Sequence, residues 1–267
     1  MFTRYLRFWF SLAKFSLLGE LAFRGNFLIK VFVELLWLGI LLLFNFTIFQ
    51  QTNKIAEWDI HQYLFFVGCY FAMSGVIETL FLDNCNQFAD LIRSGDLDFF
   101  LLKPIDEQFL ISCKHIDWSC VPNVGLGFGV MGYALWAAGW EFNALCAMLF
   151  PILFTSGVFL AYGFLMLLTS ASVWMTRNQS LFEMWWLFTT LMRYPREIYK
   201  GKWAEPTAWV FWFVIPVMLV TNVPARVMVQ VLEPWTACYA LAAALVVMCV
   251  SRWVFRMALR RYRSASS

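Results

Sequence analysis

Long, almost uncharged apolar segments constrain this chain more than any other feature. A membrane-spanning helix needs about 20 predominantly apolar residues, and Phe27 to Phe49, Tyr63 to Leu82, Val121 to Trp140, Ala144 to Thr169 and Trp235 to Phe255 meet or approach that length. Across 267 residues the chain is 61% hydrophobic and only 14% charged, with a mean hydropathy of +0.67. Such a composition excludes an ordinary soluble domain and implies a polytopic membrane protein.

The few charges set an orientation. Lys and Arg collect in the N-terminal stretch (Arg4, Arg7, Lys14, Arg24), in the polar interval 84–116 (Arg93, Lys103, Lys114) and in the tail (Arg252, Arg256, Arg260, Arg261, Arg263). The turn Gly139 to Asn143 has none, and Gln50 to Asp59 has only Lys54. By the positive-inside rule both termini and the 84–116 loop are cytoplasmic, which requires an even number of crossings. The net charge is +3 without an extended basic face, so nucleic-acid binding has no support. The first 25 residues read as an amphipathic interfacial helix rather than a cleavable signal, because cations interrupt the apolar run.

Six crossings then need one between Thr176 and Trp235, and two placements compete. Either Gln179 to Met192 crosses and 204–233 is a re-entrant hairpin entering from outside, or Leu181 to Lys202 stays at the cytoplasmic surface and Thr207 to Val223 crosses. Arg193, Arg196, Lys200 and Lys202 favour the second. Pro195, Pro206, Pro216 and Pro224 favour the hairpin, since proline removes a helix donor and clashes with the preceding turn.

The polar interval has its own grammar. Phe88, Leu91 and Ile92 recur at helical spacing, Ser94 and Gly95 stop that helix, Pro104 forces Lys103 out of helical conformation, and Asp106 can cap a helix from Glu107 to Ile116. Chemistry-bearing clusters are missing from the sequence itself. Seven cysteines form no CxxC pair, and His61 and His115 lack a nearby ligand set, so neither a metal site nor catalytic residues are expected. No G-x-x-x-x-G-K-[ST] motif is present, so the chain does not hydrolyse ATP in the P-loop manner.

Within the spans, Lys30 and Glu34 stand at i,i+4 spacing and are expected to pair. Glu78 and Glu183 are expected to snorkel near the ends of their helices. Gly125, Gly127, Gly129, Gly157 and Gly163 read as close-packing positions, and Trp136, Trp140, Trp203, Trp209 and Trp212 as interfacial belts. An ion-coupled carrier working alone would need ionisable groups near mid-membrane and inverted repeats, and the sequence displays neither clearly.

The run IRSGDLDFFLLKPIDEQF, Ile92 to Phe109, resembles the cytoplasmic loop of ABC-2 type transporter permeases with the pattern R-x-G-x-L-D-x-x-L-x-K-P-x-D-x-Q-F. The matching residues are Arg93, Gly95, Leu97, Asp98, Leu101, Lys103, Pro104, Asp106, Gln108 and Phe109. YPREIY from Tyr194, then Ile215-Pro216, then NVPA from Asn222 are similar to the end of that family's fifth helix and its re-entrant hairpin. Lys200 to Trp203, KGKW, is more basic than that pattern.

The resemblance implies a single all-α ABC-2 type transmembrane domain over 1–267: six spanning helices, an interfacial helix at 1–25, a cytoplasmic coupling loop at 84–116 and a re-entrant hairpin at 204–233 containing Pro216 and Pro224, preceded by Pro195. It implies an exporter permease of the inner membrane, docked on a separate ABC ATPase that carries ATP and magnesium. A second permease chain, identical or a paralogue, completes the transporter. Phe88, Leu91, Ile92 and Leu97 would anchor the ATPase, with Arg93, Asp96 and Asp98 at the rim and Gly95, Lys103 and Pro104 shaping the loop. No cofactor is expected in this chain.

Overall fold

A computed structural model describes residues 2–174, 179–230 and 233–262. Among them the fold is helical apart from one antiparallel pair, Lys54–Ile55 with Trp58–Asp59. Helix α1 (Phe2–Ala22) leads into α2 (Arg24–Gln51), and after the β pair come α3 (Ile60–Ile77), a π-helical segment (Glu78–Leu82) and α4 (Asp83–Ser94). These last three form one continuous rod of 35 residues. Then follow α5 (Leu97–Leu101), α6 (Glu107–Cys113), a 3-10 turn (Trp118–Cys120), α7 (Val121–Ala137), α8 (Ala144–Ala171), α9 (Gln179–Met192), α10 (Ala204–Phe213), α11 (Leu219–Val229) and α12 (Pro234–Arg261).

Among the described residues, five helices are long and apolar enough to cross a membrane: Arg24–Gln51, Ile60–Ser94, Trp118–Ala137, Ala144–Ala171 and Pro234–Arg261. They coincide with the five apolar segments of the sequence, and the protein is an all-α multi-pass membrane protein. Arg263 and Thr176 lie outside the described residues.

The rod beginning with α3 is the axis of the bundle. Phe65, Phe66, Cys69, Ala72 and Met73 are buried on it, enclosed by α7, α8 and α11. Small residues set the closest approaches, because in a membrane packing rather than the hydrophobic effect holds helices together. A Cβ on Gly127 would stand 2.7 Å from the Gly68 carbonyl oxygen, and one on Gly157 would stand 2.6 Å from that of Val220. Among the described residues, a Cβ on Gly125 or Gly129 would meet nothing within 4 Å, so only part of the α7 glycine series is a packing seam. By contrast α2 buries only Leu38 and Asn45 and leaves Phe32, Trp37, Leu43 and Phe46 exposed.

The two ends of the bundle are distinguished by polar contacts. At one end Asn84 closes the base of the 84–116 loop: its amide donates to the His115 carbonyl (2.7 Å) and accepts from the His115 N–H (2.9 Å). At the other end, beside the β pair, Lys200 pairs with Glu57 (3.3 Å), Trp58 donates to Glu197 (2.8 Å) and Gln62 donates to the Val229 carbonyl (3.0 Å). Helices α10 and α11 therefore leave and return at the same end, with the break at Val214–Met218 around Pro216 and the Met218 N–H bonded to the Phe211 carbonyl (3.2 Å). Residues 196–203 lie at the end opposite the 84–116 loop.

Three expectations are corrected here. Lys30 pairs with Asp117 (3.3 Å), not Glu34, whose carboxylate accepts instead from Asn123 (2.8 Å). Glu78 is half-buried against a cavity rather than snorkelling, although Glu183 is exposed. Trp212 belongs to the core, covered by the Arg196 guanidinium at 4.6 Å, while Trp136, Trp203 and Trp209 are exposed.

Candidate functional site

The 84–116 loop is built outward from the axis rod. Helix α4 continues α3 without a break, so the loop's first arm inherits the rigidity of the bundle. Gly95 ends it in the left-handed conformation (φ 79°), open to glycine without the steric cost other residues meet. Ser94 Oγ donates to the Asp96 carboxylate (2.7 Å), and α5 follows at once. Lys103 and Pro104 are exposed at the return, where the Lys103 ammonium stands 4.6 Å over the Phe100 ring. Asp106 then caps α6 by accepting from the Phe109 N–H (3.0 Å).

Burial divides the loop's apolar residues into two sets. Phe88 and Leu97 have no accessible surface, and Phe88 packs on Phe255 of α12 with ring centroids 5.9 Å apart. Both serve the chain's own core, so in this conformation they offer nothing to a partner. Leu91 and Ile92 are half-buried against the same core. Phe99 (68% exposed) and Leu102 (82% exposed) instead face outward, close in sequence to the exposed Arg93, Asp96, Lys103 and Pro104. Arg93 also pairs with Asp90 one turn away (3.1 Å).

A polar network fastens the loop's second arm to two spanning helices. Arg252 of α12 donates to both carboxylate oxygens of Asp106 and to the Gln108 side chain (3.0 Å). Gln108 in turn donates to the Tyr162 hydroxyl of α8 (3.1 Å), which also bonds Ser112 (2.9 Å). Burial would raise the Asp106 carboxyl, but the hydrogen bonds from Arg252 and the Phe109 N–H outweigh it and hold the group below the usual carboxylate range. Sequence reasoning assigned Asp106 the cap but missed Arg252, which lies 146 positions away and looks like any other tail cation.

Helix α1 lies along this same arm. The Asp106 N–H donates to the Tyr5 hydroxyl (3.2 Å), the Ile116 N–H to Ser16 (3.2 Å) and the Trp118 N–H to Glu20 (2.9 Å), while Trp118 Nε1 donates to the Ala13 carbonyl (3.0 Å). Phe10, Phe15 and Leu18 remain exposed. The N-terminal helix is thus a splint for the loop.

Inside the bundle a cavity of about 700 Å³ opens between α2, α3 and α9. Trp37, Phe44, Tyr70 and Trp186 wall it; Glu34, Glu78 and Asp117 lie toward the loop end, and Arg193, whose guanidinium is 5.5 Å from the Tyr70 ring, toward the other.

A bundle of long apolar helices, with a capped polar loop at one end and a largely aromatic-walled cavity carrying a few charged groups, is the architecture of a multi-pass membrane protein. Residues 35–266 match the family described as ABC-2 family transporter protein, and the chain belongs to that family. It is accordingly a transmembrane permease component. No curated protein and no solved structure matches the chain.

Proposed function

We propose that this chain is the permease subunit of an ATP-driven exporter and that its 84–116 loop docks a separate cytoplasmic ATPase. The observation that carries the reading is the pair Phe99 and Leu102: two large apolar side chains left exposed on a capped, internally braced turn. Exposed apolar groups framed by polar ones are the anchors of groove binding. Arg93, Asp96, Asp98, Lys103 and Pro104 frame them, and Gly95 supplies the turn, while Phe88 and Leu97 act as internal struts.

In this reading α9 is the sixth crossing, both termini and the loop are cytoplasmic, and the hairpin 204–233 faces outward with Pro195, Pro216 and Pro224 as its breaks. ATP and magnesium belong to the partner ATPase. A second permease chain, the same or a paralogue, completes the cavity's open side, where α2 exposes its apolar face. Movement of the docked loop would reach α8 and α12 through Asp106, Gln108, Arg252 and Tyr162. The test is co-purification: Leu102→Asp combined with Phe99→Asp should abolish association with a P-loop ATPase while the permease stays folded. Undiminished association and ATP-coupled transport in that variant would overturn the docking assignment.

A further inference from the structure

Three groups that are distant in sequence converge at the loop end of the cavity. Glu34 comes from α2, Glu78 opens the π-helical segment, and Cys120 closes the 3-10 turn before α7; their ligand-capable atoms all lie within 4.8 Å of one another. All three are half-buried and line the cavity. Among the described residues, neither carboxylate has an ion-pair partner, because Lys30 is engaged by Asp117. Two carboxylates and a thiol converging on one point of the cavity wall from three separate segments offer three donors to a single cation.

An independent observation points to a ligand. Asn123 also lines the cavity and is only 2% exposed; its amide nitrogen donates to Glu34 (2.8 Å), yet its amide oxygen is buried without a hydrogen-bond partner among the described residues. Buried polar atoms without partners are rare and mark unmet binding capacity. Moreover, π-helical segments often occur at functional sites, and Glu78 begins one here.

We infer that Glu34, Glu78 and Cys120, completed by the Asn123 amide oxygen, form a site for one divalent transition-metal ion of the zinc class. The donor set decides the class. Magnesium and calcium take oxygen ligands, whereas a thiolate beside carboxylates suits a borderline-soft ion that accepts four ligands. Bonds of about 2.0 to 2.3 Å to a tetrahedral ion put neighbouring donors about 3.3 to 3.8 Å apart, so the side chains draw in by about 1 Å on binding. The Cys120 thiol loses its proton as the ion enters. Occupancy would tie the loosely packed α2 to α3 and α7.

Cobalt(II) is the probe, because a cobalt–thiolate bond adds a charge-transfer absorption. The full chain, purified in detergent and stripped with a chelator, should bind one equivalent with that absorption, and zinc should displace it. Cys120→Ser should lose the absorption, Glu78→Gln should weaken binding by about tenfold or more, and Cys249→Ser, altering an exposed cysteine, should change neither. Circular dichroism confirms the fold of each variant, and the Glu34→Gln, Glu78→Gln double variant, nearly isosteric, provides a second reading should Cys120→Ser misfold. No cobalt binding by the folded wild-type chain, or an absorption that persists in folded Cys120→Ser or in the folded double variant, would overturn the site.

Discussion

Arg252 near the end of α12 grips Asp106 at the head of α6 through both carboxylate oxygens, joining the last spanning helix to the loop's return arm. The pair is about one-third exposed, so solvent screening limits its contribution to stability. Arg252→Ala should cost roughly 1 kcal/mol in unfolding free energy, by denaturant titration in detergent. Its effect on coupling should be larger, because the Gln108 side-chain oxygen loses its donor too. Transport should fall far more than folded protein does, and the ratio of the two measurements checks this.

The same pair sets a pH dependence. Because the folded Asp106 carboxyl lies below its unfolded value of about 3.9, its contribution is fully present above that value and is lost as pH falls through the folded value. Loop docking should therefore be flat from about pH 5 upward with respect to this residue. Hydrogen exchange at Phe109 and Leu110 across that range checks it, and Asp106→Asn should remove the acid-side loss.

Gly127 sits where α7 crosses α3 at backbone contact distance. Gly127→Val should destabilise the bundle by about 1–3 kcal/mol, the usual cost of overpacking. Gly125→Val, at a position that meets no neighbour, should be near neutral. Thermal unfolding of the two variants side by side decides the comparison.

Residues 196–203 share an end with the β pair through Lys200 and Glu57. Under the proposed orientation, cysteines placed at Lys200 and at the 89% exposed Trp203 should react with a membrane-impermeant maleimide added outside intact cells. Protection from outside, with labelling only in inverted vesicles, would reverse the assignment.

The long spans and the loop's punctuation were legible because each rests on local chemistry: apolar length, a glycine able to take φ 79°, a proline, a capping aspartate. Long-range pairings were not. Lys30 and Glu34 suggested each other by spacing, but Asp117 and Asn123, brought in by the packing of α7 and its preceding turn, took both. Phe88 and Leu97 looked like partner anchors for the same reason: amphipathic spacing reveals a face, not what covers it. Glu34, Glu78 and Cys120 come from three separate segments and meet only in the folded chain.

Loop docking is tested most directly by a photo-crosslinking amino acid placed at Leu102, with Trp203 as the control at the opposite end. After irradiation in cells, position 102 should yield a covalent adduct whose peptides, by mass spectrometry, come from a P-loop ATPase, and position 203 should not. Adducts to such an ATPase from position 203 but not from 102 would contradict the account.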